Sequence, residues 1–294
     1  MLKKIILFFF RLFLEIIKAF FYWFLITTIL IYYVFFIEPK QLSNETYTLY
    51  NNNINKDFKI VHFSDVHISK WSNEEYLENL TLYINNENPD IVIFTGDLFD
   101  NYYNDEKQLK QKEEFVIKHL SQIKAKYGKY AIAGNHDCNN KSNMEYFKEI
   151  LNKTNFVLLD GENMENYSFT INDLNVNLFG INTYNKKELN KTLSKENSNN
   201  SLNLLLLHAP DYIDNMNIEN IDFAFAGHTH GGQVNLPYLN KFILPKGGEQ
   251  YIKGKYLLTN NKTILYVNSG IGTTRIPIRF LMKPQISIYN IQKN

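Results

Sequence analysis

The sequence predicts an α/β sandwich, two packed β-sheets flanked by helices, preceded by one N-terminal transmembrane helix. Three observations predict it. From Phe58 the chain repeats a short apolar strand, a polar turn and an amphipathic helix. Across the chain, strands outnumber long helices, which calls for two packed sheets with the helices outside. Ahead of all this, Ala19 to Ile37 carries no charge. At about 1.5 Å per residue that run covers about 28 Å, close to the roughly 30 Å hydrocarbon core of a bilayer.

The anchor is expected over residues 1–40. Leu2 to Ile37 is apolar and aromatic, with Lys3, Lys4, Arg11, Glu15 and Lys18 as its only charges. Tyr22, Trp23, Tyr32 and Tyr33 lie near the ends of the uncharged run, where interfacial aromatics belong. A cleaved signal peptide would have a shorter apolar core ending in small residues, and Phe35 to Lys40 has none. Lys3, Lys4, Arg11 and Lys18 precede the span and only Lys40 follows it closely. Positive-inside reasoning therefore puts the N-terminus in the cytoplasm and the catalytic domain outside it. A helix lying along the inner surface through Leu2 to Phe20 is the competing picture. Residues 41–57, polar and asparagine-rich, read as a linker that adds no strand to the core.

The domain itself is expected over 58–294. Strands are expected at Phe58–Phe63, Asp90–Phe94 and Lys129–Ala133, with helices at Glu74–Asn85, Lys107–Lys124 and Met144–Leu151. Phe156–Leu159, Tyr167–Ile171 and Val176–Ile181 continue as strands, and a polar helix-loop follows over Lys186–Ser201. Leu202–Leu207, Asp222–Ala226, Lys255–Leu258, Thr263–Val267 and Gln285–Tyr289 complete the strands. A formal charge of +1 gives no reason to expect nucleic acid as a partner, and the single cysteine, Cys138, excludes an intrachain disulfide.

Ionisable residues concentrate where strands end. Five expected strand ends carry Asp65-Val66-His67, Gly96-Asp97, Gly134-Asn135-His136-Asp137, His208 and Gly227-His228-Thr229-His230. Five strand ends can converge on one sheet rim. Carboxylate, imidazole and amide oxygen suit divalent transition metals. A two-residue step lets an extended segment aim both side chains the same way, and glycine before Asp97, Asn135 and His228 permits a close backbone approach. Singly, each cluster has an ordinary explanation as a turn that satisfies its own backbone. Together they hold His67, His136, His208, His228 and His230 out of 7 histidines, which a set of unrelated turns does not account for.

In this order the clusters resemble the calcineurin-like metallophosphoesterases, over Phe58 to about Tyr289. The stretches from Gly227 to Pro237 and from Gly270 to Phe280 are similar to the bacterial YkuE/YaeI-like membrane-associated branch, which includes UDP-2,3-diacylglucosamine pyrophosphatases. The resemblance implies two divalent metal ions, Mn, Fe or Zn. It assigns one to Asp65, His67, Asp97 and His230 and the other to Asp97, Asn135, His208 and His228, with Asp97 bridging. His136 is then the catalytic histidine that orients phosphate and protonates the leaving oxygen.

Around these, His62 reads as a packed strand histidine and His119 as a helix residue without a role. Asp100 is placed to accept from a ligand histidine. Asp137 does the same or caps its turn. Cys138 is incidental, and Arg279 either pairs with substrate phosphate or sits on the surface. Three functions stay open: hydrolysis of a lipid-linked substrate such as UDP-2,3-diacylglucosamine of the lipid A pathway, hydrolysis of soluble nucleotides or phosphate monoesters, and an inactive metal-binding scaffold. An apolar loop over 231–255, with Tyr238, Leu239, Phe242 and Ile243, is expected either to receive acyl chains or to cover the second sheet.

Overall fold

The computed structural model describes residues 1–52, 54–72, 74–100, 106–159, 167–181, 201–236, 244–260 and 262–293. It opens with helix α1 (Leu2–Tyr32), which has no buried residue and continues through one wide turn, Tyr33–Ile37, and one tight turn, Glu38–Lys40. The segment Leu2–Lys40 is long and apolar enough to cross a membrane. The helix ends where Pro39 removes a backbone donor.

The first sheet is built from β1 (Ser43–Tyr50), β2 (Phe58–Phe63), β3 (Ile91–Phe94), β4 (Lys129–Ala131) and β5 (Phe156–Leu158). Helices α2 (Glu74–Asn86), α3 (Glu106–Leu120) and α4 (Lys141–Lys153) connect β2 to β5. The second sheet comprises β6 (Tyr167–Ile171), β7 (Leu174–Ile181), β8 (Ser201–Leu207), β9 (Phe223–Ala226), β10 (Gly254–Leu257) and β11 (Ile264–Val267). The last strand, β12 (Gln285–Gln292), returns to the first sheet. The strand orders are β1-β12-β2-β3-β4-β5 and β10-β11-β9-β8-β7-β6. Strands β2 to β5 run parallel, as do β7, β8, β9 and β11, so their C-terminal ends share a rim in each sheet.

Three layers of core follow from the apolar runs. Ile60, Ile93, Tyr130 and Tyr289 meet Leu204, Leu206, Phe225 and Tyr266 between the sheets. Val61, Phe63 and Phe94 pack outward against Leu80, Val116 and Phe147 of the helices. Leu205, Leu207 and Ala224 are covered by Ile213 and Tyr251. Because β3 and β9 are buried on both faces, their sequences are continuously apolar instead of alternating.

The expected strands and helices are present with ends displaced by up to a few residues. The expected linker is different. Residues 43–50 form β1, which pairs in parallel with β12 along its whole length, from Ser43 opposite Gln285 to Tyr50 opposite Gln292. The strand is polar because it lies at the sheet edge and buries little except Leu49 and part of Tyr47, which stacks on Tyr289 at 5.5 Å. The covalent connection from the anchor to the first strand is therefore only residues 41 and 42. The helix-loop expected over 186–200 lies outside the described residues, and so do Tyr238, Leu239, Phe242 and Ile243.

Candidate metal centre

The strand ends of both sheets meet at one buried cluster. Asp65 and His67 follow β2, Asp97 follows β3, Asn135 and His136 follow β4, His208 follows β8, and His228 and His230 follow β9. The two rims are held together directly: His208 Nδ1 donates to Thr95 O (2.6 Å) and His228 N donates to Asp65 Oδ2 (2.9 Å). The loops after β2 and β3 pair with each other through Asp65 N to Gly96 O, His67 N to Asp97 O and Ile68 N to Leu98 O.

The two-residue steps do not converge by being extended, as expected. Asp65, His67, Asp97, His228 and His230 all have positive φ, between 46° and 72°. Such backbone is uncommon for residues other than glycine and persists where surrounding contacts over-determine it. The glycines serve loop-to-loop approach. A Cβ on Gly134 would stand 2.1 Å from Asp97 Oδ1, and one on Gly227 would stand 2.4 Å from Asp65 Oδ2. Of the three glycines singled out in the sequence, Gly96 alone also needs positive φ, at 92°.

Three groups of donors have ligand atoms within 4.8 Å of one another: two triads, Asp65 with His67 and His230 and Asp97 with His208 and His228, and beside them His67 with Asp100 and His136. Asp65 Oδ1 lies 3.8 Å from His67 Nε2, 3.6 Å from His230 Nε2 and 4.0 Å from His208 Nε2. Asp97 Oδ2 lies 3.1 Å from His208 Nε2 and 3.5 Å from His67 Nε2, so it stands between the triads. Within each triad two imidazoles turn nitrogens on each other, His230 Nε2 to His67 Nε2 at 3.1 Å and His228 Nδ1 to His208 Nε2 at 3.2 Å.

The other ring nitrogens explain which way each lone pair points. His208 Nδ1 must donate to the Thr95 carbonyl and His228 Nε2 to the Lys246 carbonyl, which leaves His208 Nε2 and His228 Nδ1 turned inward. His67 Nδ1 sits 3.4 Å from Asp100 Oδ1, and Thr274 Oγ1 donates to that same oxygen at 3.0 Å. Asp100 therefore has the orienting place expected for it. Asp137 is buried and works through the backbone instead, accepting from Asp97 N, Leu98 N and Gly134 N, which shapes the turn that presents Asp97.

Electrostatics reinforce the grouping. Burial would raise both Asp65 and Asp97, but His230, His67 and His208 around the first and His208, His67 and His136 around the second hold both carboxyls below their usual range. Burial would lower His67 and His208, but the facing carboxylates raise them to about 10 and about 9. Burial pulls His228 to about 4 and His230 to about 3, with the neighbouring imidazole pushing the same way. Each triad thus pairs one strongly basic and one neutral imidazole against a carboxylate.

A divalent ion fits these residues. Asp65 Oδ1 and His230 Nδ1 are buried without a hydrogen-bond partner, and such groups are costly unless a ligand completes them. The donor set of imidazole and carboxylate suits Mn, Fe or Zn. Asn135 is half-buried and follows Gly134, which is packed on Asp97. His136 donates its backbone N–H to Asp97 Oδ1 (2.8 Å), its Nδ1 donates to the Asp100 carbonyl, and its ring lies edge-on to His67 at 4.9 Å.

Of the remaining residues, His62 is a packed histidine between Thr95 Oγ1 and Tyr289 OH, as expected, and Cys138 Sγ donates to Gly134 O. His119 binds Glu74. Arg279 neither lies on the surface nor reaches toward a substrate. It is fully buried, and its guanidinium donates to the carbonyls of Ser269, Gly270, Gly272 and Met282. Its sequence neighbours are apolar or proline, which hid the carbonyl cage that the 269–272 turn forms around it. Thr95, Thr274 and Lys246 act on the site through a carbonyl or a hydroxyl. Backbone acceptors leave no mark in side-chain sequence, so nothing in the sequence singled these residues out.

Comparison with known proteins agrees with the geometry. The family model described as calcineurin-like phosphoesterase matches residues 58–232. The uncharacterized metallophosphoesterase YkuE of Bacillus subtilis is 33% identical over 270 residues, which cover 87% of this chain and 88% of YkuE. The uncharacterized metallophosphoesterase YkoQ of the same organism is 29% identical, covering 80% of this chain and 84% of its own. The UDP-2,3-diacylglucosamine pyrophosphatase LpxG of Chlamydia muridarum is 25% identical, covering 78% and 82%.

Proposed function

Since the chain belongs to the calcineurin-like phosphoesterases and is a metal-dependent phosphoester hydrolase, we propose that it cleaves a phosphodiester or pyrophosphate bond in a lipid-linked substrate at the two triads. One ion would be held by Asp65, His67, Asp97 and His230 and the other by Asp97, Asn135, His208 and His228. Two such ions supply charge that polarises a phosphoryl group and lowers the pKa of a bound water.

The chain's own part is positional. Asp97 serves both triads because its Oδ2 faces His208 and His67 together. Asp100 holds the His67 ring so that Nε2 points inward. His136, with Nδ1–H committed to the Asp100 carbonyl, presents Nε2 to the leaving oxygen and, when protonated, delivers a proton there. The observation that carries this reading is the buried Asp65 Oδ1, unpartnered among three imidazole nitrogens.

The lipid-linked substrate rests on the exposed helix Leu2–Lys40 and on the name carried by the chlamydial relatives, which makes UDP-2,3-diacylglucosamine the first candidate. A soluble nucleotide or phosphate monoester is the second reading. Lys3, Lys4, Arg11 and Lys18 favour an outward domain, whereas a UDP-linked precursor calls for the cytoplasmic face, and a topology reporter fused after Asn294 separates them. Full-length protein loaded with Mn²⁺ is to be tested on UDP-diacylglucosamine, cyclic nucleotides and p-nitrophenyl phosphodiesters, with metal content measured alongside. Preference for the acylated substrate is expected. Equal turnover of soluble nucleotides would move the assignment to the second reading, and a metal-free, inert protein would end both.

A further inference from the structure

The end of α1 does not stop at the surface of the domain. Val34 O accepts from Arg279 N (3.2 Å), the buried Glu38 accepts from Met282 N (2.7 Å), and Pro284 O accepts from Ser43 N (2.8 Å). The last turns of the helix are thereby seated on the 279–284 segment, whose arginine holds the turn 269–272. That turn in turn backs the metal centre: a Cβ on Gly270 would stand 2.7 Å from Asp65 Cβ.

Between the helix end and the centre lies a cleft of about 830 Å³, within the roughly 300–1,000 Å³ range of small-molecule sites. Its lining begins at His67 and includes Phe35 and Phe36 from the last turns of the helix. Leu42, Leu80, Ile271 and Pro277 make its apolar wall. Lys40, Lys70 and Arg275, all exposed, stand at its rim, against one carboxylate among the described residues, Glu75.

We infer that this cleft admits a hydrocarbon chain of an amphiphilic phosphoester directly from the bilayer, with the phosphate lodged at His67 and the rim cations facing the anionic headgroup. The inference rests on the phosphoesterase reading for what happens at the phosphate, and on geometry for the rest. The helix shows no buried residue along Leu2–Tyr32, so hydrocarbon is the solvent that suits it, and the cleft opens beside its last turns. Around that opening the domain exposes Trp71 (64%), Ile276 (53%) and Leu281 (59%). A tryptophan beside lysines, Lys70 lying 4.9 Å over its ring, suits the headgroup level of a membrane. Each methylene placed along such a wall contributes up to about fourfold in affinity.

The test uses the full chain in phosphatidylcholine nanodiscs and alkyl phosphates as probes. Inhibition of p-nitrophenyl diester hydrolysis should tighten tenfold or more from butyl to dodecyl phosphate. Asn79→Trp, which fills the cleft from an exposed position on α2, should flatten that dependence, and Thr273→Trp repeats the block from the opposite wall should the first variant misfold. Inhibition independent of chain length would overturn the proposal. A dodecyl phosphate bearing a terminal diazirine should label residues 35–42 and 271–277 on illumination, several-fold less in the blocked variants. Labelling confined to residues 2–32, and unchanged by the blocks, would overturn it as well. The labelling needs no turnover, so an inert preparation would count against the phosphoesterase reading while the map still decides the cleft.

Discussion

Two buried charge clusters lie side by side in this protein, and they are finished to different degrees. Around Arg279 the guanidinium is saturated: Nε reaches Gly272 O at 3.1 Å, and the terminal nitrogens reach Ser269 O at 2.9 Å, Gly270 O at 3.1 Å and Met282 O at 3.2 Å. Burial lowers its pKa to about 10, which leaves it charged at neutral pH. At the triads, Asp65 Oδ1 and His230 Nδ1 remain without hydrogen-bond partners, and imidazole nitrogens face one another. A charge whose donors are all answered by the chain is an internal brace. A cluster whose buried atoms are left unanswered is a place for something the chain does not contain.

The largest effect should come from the residue that serves both halves of the unfinished cluster. Asp97→Asn is expected to abolish hydrolysis and lower metal content at both positions, since one carboxylate oxygen faces His208 and His67 together. Metal analysis of the purified variant checks this, and full loading would show that Asp97 does not bridge. His136→Ala should instead keep both metals and lose turnover by about 10²–10⁴-fold, the range for a general acid. An emptied metal position in that variant would sink the assigned role.

The finished cluster should fail differently. Arg279→Gln leaves several buried carbonyls without donors, and each costs about 1–3 kcal/mol. Its melting temperature should fall by roughly 6–12 °C, with kcat retained at temperatures where the variant is still folded. A loss of metal without a loss of stability would erase the contrast between the two clusters.

The smallest effect concerns the helix end. Removing residues 1–32 retains Val34 and Glu38 and should yield a soluble, folded, metal-binding protein. Removing 1–40 also deletes the acceptors for Arg279 N and Met282 N, so this shorter form should melt a few degrees lower. Identical melting of the two truncations would mean that the helix end rests on the domain without bracing it.

The sequence by itself determined the candidate ligand types, the strand ends that carry them and the helix able to cross a membrane. These are local matters: apolar runs, turn residues and the clustering of Asp65/His67, Asp97, Asn135/His136, His208 and His228/His230 are visible over a few neighbouring positions. Only the tertiary structure decided that polar Ser43–Tyr50 is a strand, because its partner β12 comes from the opposite end of the chain. It alone turned Arg279 inward, since the carbonyls that receive it belong to a turn folded by distant contacts. It also decided how the ligands converge. The positive φ values at Asp65, His67, Asp97, His228 and His230 are costly in isolation and are imposed by loops from two sheets locking together, so no local pattern announces them.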